Sequence, residues 1–440
     1  MTQKIKNYIF IFIAVFLFSI NSAMCLEVKK IDLDDAIQLS LSNNLDLQAA
    51  RIEVELAKNG VGIANRLKNP EFNFFYNLGR AGRSEPNMLG VSQTLEIAKR
   101  APRKKLAKSE LLKKELDVKT AEFTLEMDVR ETYVDLVGAK TILQDLKEQK
   151  ELLTELLLQT KKKYNAKKCQ ETEVIQAQIA LNKLETEINS ANTLVNLRRN
   201  DFNKALNIKE DSGFVYDTKE DSLPGETVFI SLKTPNYNEK MPAFETICER
   251  ALDKRYDVKN ARQAVDIAQK NLTVVARQKI PDIEVTGGYS FMPASHTDSG
   301  NFESGAYVGA NLVNIPLLYS YKPEIKNAKL QIEQAQINYE SIRNKAQKDL
   351  GSAYEKFLTS RQNLIFYKQK LVKDSENLIK ISKKNYYEGK ADLTSVIVME
   401  QSYREILTGY ITALADYYTD WIDFLREVNS EDFDLFSENL

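Results

Sequence analysis

Between Ala261 and Val285, in the stretch ARQAVDIAQKNLTVVARQKIPDIEV, the spacing of apolar positions changes. Up to Lys279 they recur at three and four (Val265, Ala268, Leu272, Val275), which predicts one buried face of a helix. After Pro281 the spacing falls to two (Ile283, Val285, Gly287, Tyr289, Phe291), which predicts a strand. Proline marks the switch because it biases Ile280 away from helix and has no N–H to donate. The chain makes the same switch earlier, in ARIEVELAKNGVGIANRLKNPEFNF. A shift of 211 superposes Ala50, Arg51, Val54, Ala57, Arg66, Lys68 and Pro70 on the later copy.

The likeness continues, so the chain reads as a duplication. Gly90 falls on Gly309; then, at a shift of 221, Ala107, Lys108, Asp128 and Tyr133 fall on Ala328, Lys329, Asp349 and Tyr354. At 222, Tyr164 falls on Tyr386, Lys168 on Lys390, and Thr172-x-Val174-Ile175 on Thr394-x-Val396-Ile397. Short loop insertions produce such drifts. Each half follows one plan: helix, strand, turn, strand, long helix, turn, helix. The division expected is a first repeat over 26–208, a linker over 209–242, a second repeat over 243–428 and a tail over 429–440. The linker holds Gly213, Pro224, Gly225, Pro235 and Pro242 in a chain otherwise poor in proline.

The long helices carry a seven-residue period. Ile325, Ala328, Ile332, Ala335, Tyr339, Ile342, Ala346 and Ala353 follow three-four spacing, and Leu111, Val118, Leu125, Thr132 and Ala139 recur every seven. A helix from about 98 to 163 would reach roughly 100 Å, longer than a compact domain needs.

Four stretches alternate. Phe72, Phe74, Tyr76 and Leu78 share a face opposite Asn73 and Asn77. Leu89, Val91, Leu95 and Ile97 alternate with Gly90, Ser92, Thr94 and Glu96. Over Asp282 to Phe291 the odd positions are apolar or glycine and Glu284, Thr286, Gly288 and Ser290 are even; Val308, Ala310 and Leu312 alternate with Gly309 and Asn311. Each is near the 9–11 residues of a membrane β-strand, with apolar-out, polar-in alternation. Four strands leave open edges, which lipid does not tolerate, and closure takes about eight. If these strands enter a membrane, several copies share one barrel. Half-buried hairpins of a soluble domain have the same period.

At the N-terminus Lys4 and Lys6 precede an apolar core from Tyr8 to Phe18, then Ser22 and Ala23. That is the plan of a signal peptide over 1–25, with the core too short to span a bilayer. Cys25 leaves a second option open, as the lipidated first residue of a lipoprotein. Cys169 and Cys248 are then two isolated thiols, too few for a disulfide framework. With 61 basic and 62 acidic residues the net charge is −1, which gives no reason to expect nucleic acid as a partner.

From about Ile31 to Val428 the chain resembles outer-membrane efflux proteins of the TolC type. The likeness rests on the twofold repeat, the opening helix IDLDDAIQLSLSNNLDLQAAR, and the stretches GVSQTLEIAKRAPRKKLAKSE and VGANLVNIPLLYSYKPEIKNAKLQIEQAQ. Two turn motifs complete it, Tyr164 to Ala177 and Tyr386 to Met399. The resemblance implies a mainly α fold with a small β part. Long coiled-coil helices form a trimeric α-barrel, and four strands per chain join a shared twelve-stranded β-barrel in outer-membrane lipid. It implies a passive conduit, with a periplasmic adaptor and an inner-membrane pump of the RND or ABC type as partners. The segment Ser92-Gln93-Thr94-Leu95, with Lys99, Arg100 and Arg103, is most similar to outer components of heavy-metal efflux systems. Those are glycine-richer where Ala98 and Ala101 stand here.

The family's turns follow a pattern close to Y-x-x-G-x-x-x-x-D-V-L, here with one residue more before the acid position, and lie at the inner tip, where the adaptor docks and the tunnel narrows. The resemblance therefore implies Tyr164, Glu173, Tyr386 and Ser395 as tip or gate residues. It implies Lys167, Lys168, Val174, Gly389, Lys390 and Val396 for docking. Lys167 stands where the first copy should have glycine, and Ser395 where the second should have an acid; Gly389 is expected to supply a positive φ. Under threefold symmetry Glu173 would form a cation-favouring ring. The same glutamate is equally an ordinary first-turn acid balancing a helix dipole.

An enzyme is not expected, and neither is a cofactor. The single histidine, His296, rules out paired-histidine chemistry, Gly60-x-Gly62 lies inside a helix, and no His/Cys/Asp cluster suggests a metal site. The alternative is an exported coiled-coil scaffold or adhesin without a pore, which leaves the recurring strand pairs unexplained.

Overall fold

Asp32 caps the first helix by accepting the backbone N–H of Asp35 at 3.0 Å. In the computed structural model β1 (Glu27–Ile31) leads into α1 (Leu33–Asn43), and α2 (Leu45–Asn65) follows after a break at Asn44. The single opening helix expected here is thus two. β2 (Glu71–Leu78), β3 (Ser84–Leu95), α3 (Arg100–Asn165) and α4 (Glu171–Ala205) complete the first half. After β4 (Phe214–Thr218) come α5 (Phe244–Leu252), α6 (Tyr256–Arg277), β5 (Asp282–Ser290) and β6 (Gly305–Val313). α7 (Lys322–Phe366), a π-helical turn (Tyr367–Leu371), α8 (Val372–Tyr387) and α9 (Leu393–Val428) end the chain. The structure describes residues 27–78, 84–208, 214–224, 234–237, 240–291 and 304–429. The signal peptide with Cys25, the loop holding His296, much of the linker and the tail past 429 lie outside these.

The second change of shift is not a loop insertion. Between Tyr354 and Tyr386 the chain is helical without interruption, and the one residue it has beyond the stretch from Tyr133 to Tyr164 is taken up within the helix. The π turn at Tyr367–Leu371 is the device, since its i→i+5 bonding admits an extra residue per turn. The first half has no such turn among the described residues of α3.

Two compact units result, and each draws on both sequence halves. One takes 1–45, 124–241 and 352–426, the other 46–123, 242–351 and 427–440. The boundaries do not follow the repeats because α3 and α7 each contribute to both units.

In the first unit an aromatic cluster fills the core. Phe357 stacks on Tyr417 at 5.3 Å and lies 5.2 Å from Trp421, and Tyr133 meets Phe202 edge-on at 5.6 Å. β1 and β4 pair in parallel, a two-stranded sheet that alternation did not reveal. The half-buried ammonium of Lys140 holds it down, 2.7 Å from Asp217 and 3.1 Å from the Thr218 carbonyl. Further along, Arg361 donates to the Tyr237 carbonyl at 2.6 Å and Tyr418 to that of Pro224 at 2.9 Å, so the described linker is pinned to the helices.

In the second unit the four alternating stretches make one antiparallel sheet, ordered β2-β3-β5-β6. Pairing sets Phe72 opposite Val91, Val91 opposite Gly287 and Gly287 opposite Val308, all on one face. That face is exposed: Phe72 by 70%, Val308 by 87% and Leu312 by 61%. The opposite face carries Asn73, Ser92, Thr94, Glu284, Thr286 and Asn311, and Ser92 is almost fully buried there. β2 and β6 are the edges. α5 and α6 pack Cys248, Leu252 and Val258 against Ala346 of α7. Cys169 and Cys248 are both free thiols. Among the described residues no helix is long and apolar enough to cross a membrane.

Candidate functional site

Each half reverses direction at a tight turn, and the two turns have one hydrogen-bond pattern. Lys167 N–H donates to the Tyr164 carbonyl at 2.8 Å and Lys168 N–H to that of Lys163 at 2.9 Å. Gly389 N–H donates to Tyr386 at 3.1 Å and Lys390 N–H to Asn385 at 2.8 Å. Both ends are Schellman motifs, which need a left-handed residue just past the helix. Gly389 supplies it with φ +76°, and Lys167, where the motif expects glycine, adopts φ 58°.

The helices restart differently. α4 has no side-chain cap and begins with Glu171 and Glu173 in its first turn, where their charges oppose the helix dipole. At α9 the carboxylate of Asp392 accepts the Ser395 backbone N–H at 3.3 Å and also its hydroxyl. Ser395, standing where an acid was expected, is thus the partner of an acid three residues earlier.

The paired tyrosines part ways. Tyr164 is 41% exposed, and Tyr386 is 3% exposed. The Tyr386 hydroxyl lies 3.2 Å from that of Thr160 and donates to Glu173 at 3.4 Å. Lys163 sits 3.7 Å over the Tyr386 ring and donates to its carbonyl at 2.9 Å. Burial pushes the Tyr386 phenol above its ordinary value, with the Glu173 charge adding to this and the Thr160 bond opposing it. One side chain therefore ties together the ends of α3, α8 and α4.

Of the other residues singled out, Lys167, Lys168, Gly389 and Lys390 are exposed and Val174 is half-buried. Val396 is fully buried and presents no surface in the isolated chain. Sequence reasoning missed the charges above the turns. Glu400 and Arg404, both buried, lie 2.9 Å from Lys383 and 3.3 Å from Glu187, beside a groove of about 260 Å³ lined also by Ile179 and Ile397. Their counterparts in the first half are Gln178 and Asn182, bonded to each other at 3.0 Å. A charge where the other copy is neutral was the signal available. Among the described residues no group of His, Cys, Asp and Glu is arranged to hold a metal ion.

The sequence profile described as "Outer membrane efflux protein" matches residues 36–207 and 247–423. Among curated proteins there is no match. Among solved structures the fold is similar to the CmeC outer membrane channel of Campylobacter jejuni. The TM-score is 0.70 at 18% identity, over 92% of this chain and 87% of that one. It is also similar to the outer membrane protein VceC of Vibrio cholerae, with TM-score 0.70 and 15% identity over 90% and 96% of the two chains. A third likeness is to the open state of the MtrE channel of Neisseria gonorrhoeae, with TM-score 0.65 and 18% identity over 90% and 89%.

Proposed function

This chain belongs to the outer membrane efflux protein family, and on that premise we propose that it is the outer-membrane channel of a tripartite efflux system, a passive conduit fed by an adaptor and an inner-membrane pump. The observation that carries the reading is the sheet: four strands, apolar on the exposed face, with both edges unpaired in the chain. Lipid does not accept open edges, so neighbouring copies complete a barrel. Three copies bring enough strands to pass the closure minimum of about eight. β2 and β6 run antiparallel, so the edge of one copy pairs with the opposite edge of the next in the pattern already present inside the sheet. A scaffold without a pore has no use for this exposed apolar face.

The tip is assigned the gate. Tyr386, held by Thr160, Lys163 and Glu173, sets the resting distance between the two helical hairpins. Exposed Lys167, Lys168 and Lys390 are assigned to docking. Glu173 brings a carboxylate from each copy to the same level, which favours cations. Heavy-metal cations are the cargo suggested by the Ser92–Arg103 stretch.

Fractionation, native mass measurement in detergent and planar-bilayer recording test the reading. The protein should stay with the outer membrane through an alkaline wash, run as a trimer and conduct. Release as a monomer in aqueous buffer would end it. Glu173→Lys should shift ion selectivity toward anions; unchanged selectivity would leave Glu173 as a first-turn helix acid only.

A further inference from the structure

We propose that Gly90 is kept without a side chain so that Tyr307 lies flat on the polar face of the sheet, and that this posture sets the width of the passage at that level. The inference rests on the channel reading above. Gly90, Gly288 and Tyr307 occupy one row across three strands, Gly90 opposite Gly288 and Gly288 opposite Tyr307. A Cβ at Gly90 would stand 2.2 Å from the Tyr307 Oη and 3.3 Å from its Cζ, and one at Gly288 would stand 2.9 Å from its Cε1. The ring therefore reaches from β6 over β5 to β3, against the backbone. Its neighbours on that face, Asn73, Ser92, Thr286 and Asn311, are short.

The two glycines serve different needs. A Cβ at Gly288 would also meet backbone, 2.1 Å from the Leu89 carbonyl oxygen and 2.6 Å from the Gly90 Cα, so Gly288 is required for the approach of β3 to β5. At Gly90 the close neighbour is the far end of a side chain that can swing. The nearest backbone atom is the Gly287 carbonyl oxygen at 3.2 Å. Adding a methyl there lifts the tyrosine off the sheet at little other cost. A lifted tyrosine points into the lumen, once per copy, where a flat one covers only the wall.

Single-channel recording of the full chain in planar bilayers tests this. Gly90→Ala should lose part of the wild-type conductance and admit large solutes more slowly in liposome swelling. Gly90→Ala with Tyr307→Phe should recover the wild-type values, because losing the hydroxyl removes the 2.2 Å contact and leaves the new methyl 3.3 Å from Cζ and 3.2 Å from the Gly287 carbonyl oxygen. An unchanged conductance in Gly90→Ala, or a loss that persists when Tyr307→Ala is added, overturns the proposal. Should Gly90→Ala fail to assemble, Tyr307→Trp leaves the glycine in place but carries a ring too large to seat over it. It should show the same loss, and full conductance there would also overturn the proposal. A wild-type protein that does not conduct would sink the channel reading instead.

Discussion

Lys99 Nζ lies 2.9 Å from Asp282 Oδ2, with only 9% and 2% of the two side chains exposed. The pair joins the turn after β3 to the first residue of β5, and Asn314 adds a bond to the same oxygen at 3.0 Å. It marks the register between the two sequence halves, since slipping β3 by one residue would strand both charges. Lys99→Met should destabilise the assembly by about 3–5 kcal/mol, because it leaves a buried carboxylate uncompensated. Lys99→Met with Asp282→Leu should recover most of the loss. Heat dissociation of the oligomer in detergent measures both.

The π turn makes a sharper prediction about register. Deleting Lys370 should let Tyr367–Leu371 return to an ordinary helical ladder, so helix content by circular dichroism stays the same. Everything beyond it keeps its place around the axis, because the π turn had already absorbed the extra residue. Tyr386 then stays against Thr160 and Lys163, and the channel should assemble and close at rest as the wild type does. A deletion variant that conducts at rest or fails to assemble would show that the π turn does more than absorb the extra residue.

Lys167 and Gly389 can be exchanged for one another in principle, since both sit in the left-handed region. That conformation disfavours a residue with a Cβ by roughly 1–2 kcal/mol. Lys167→Gly should therefore raise thermal stability and Gly389→Ala should lower it by a similar amount. The two measured together separate backbone strain from any docking role of the lysine, which adaptor binding reads independently.

Asp145 gives a pH dependence. Burial pushes its carboxyl above the ordinary value of 3.8, Glu148 adds to this, and Gln149 and Arg404 oppose it. One of its oxygens has no hydrogen-bond partner. The folded state holds this proton more tightly than the unfolded chain does, so stability falls as pH rises from 3.8 through the raised value. Asp145→Asn should then melt higher than wild type at neutral pH. The difference should vanish below 3.8, where the aspartate is protonated in both states. Melting curves across that range decide it.

Much of the architecture was legible because its signals are local. A period of two against a period of three and four separated strands from helices at Pro70 and Pro281, and alternation told which face of each strand is apolar. Gly389 was readable as a left-handed position because glycine alone adopts it freely. Lys167 was not, since a lysine gives no such sign; only its place under Gly389 hinted at it. The break at Asn44 also passed unnoticed, as its neighbours continue the helical pattern.

By itself the sequence determined the long helices and the four alternating strands, the duplication, the apolar face of each of those four strands and the positions of the two turns, each a property of residues close together along the chain. The tertiary structure alone decided which of two equivalent tyrosines is buried, that β1 pairs with β4, that the extra residue of the second half became a π turn, and that Tyr307 lies across Gly90. Those outcomes depend on residues far apart in sequence competing for the same space, and no local pattern records who the neighbours will be.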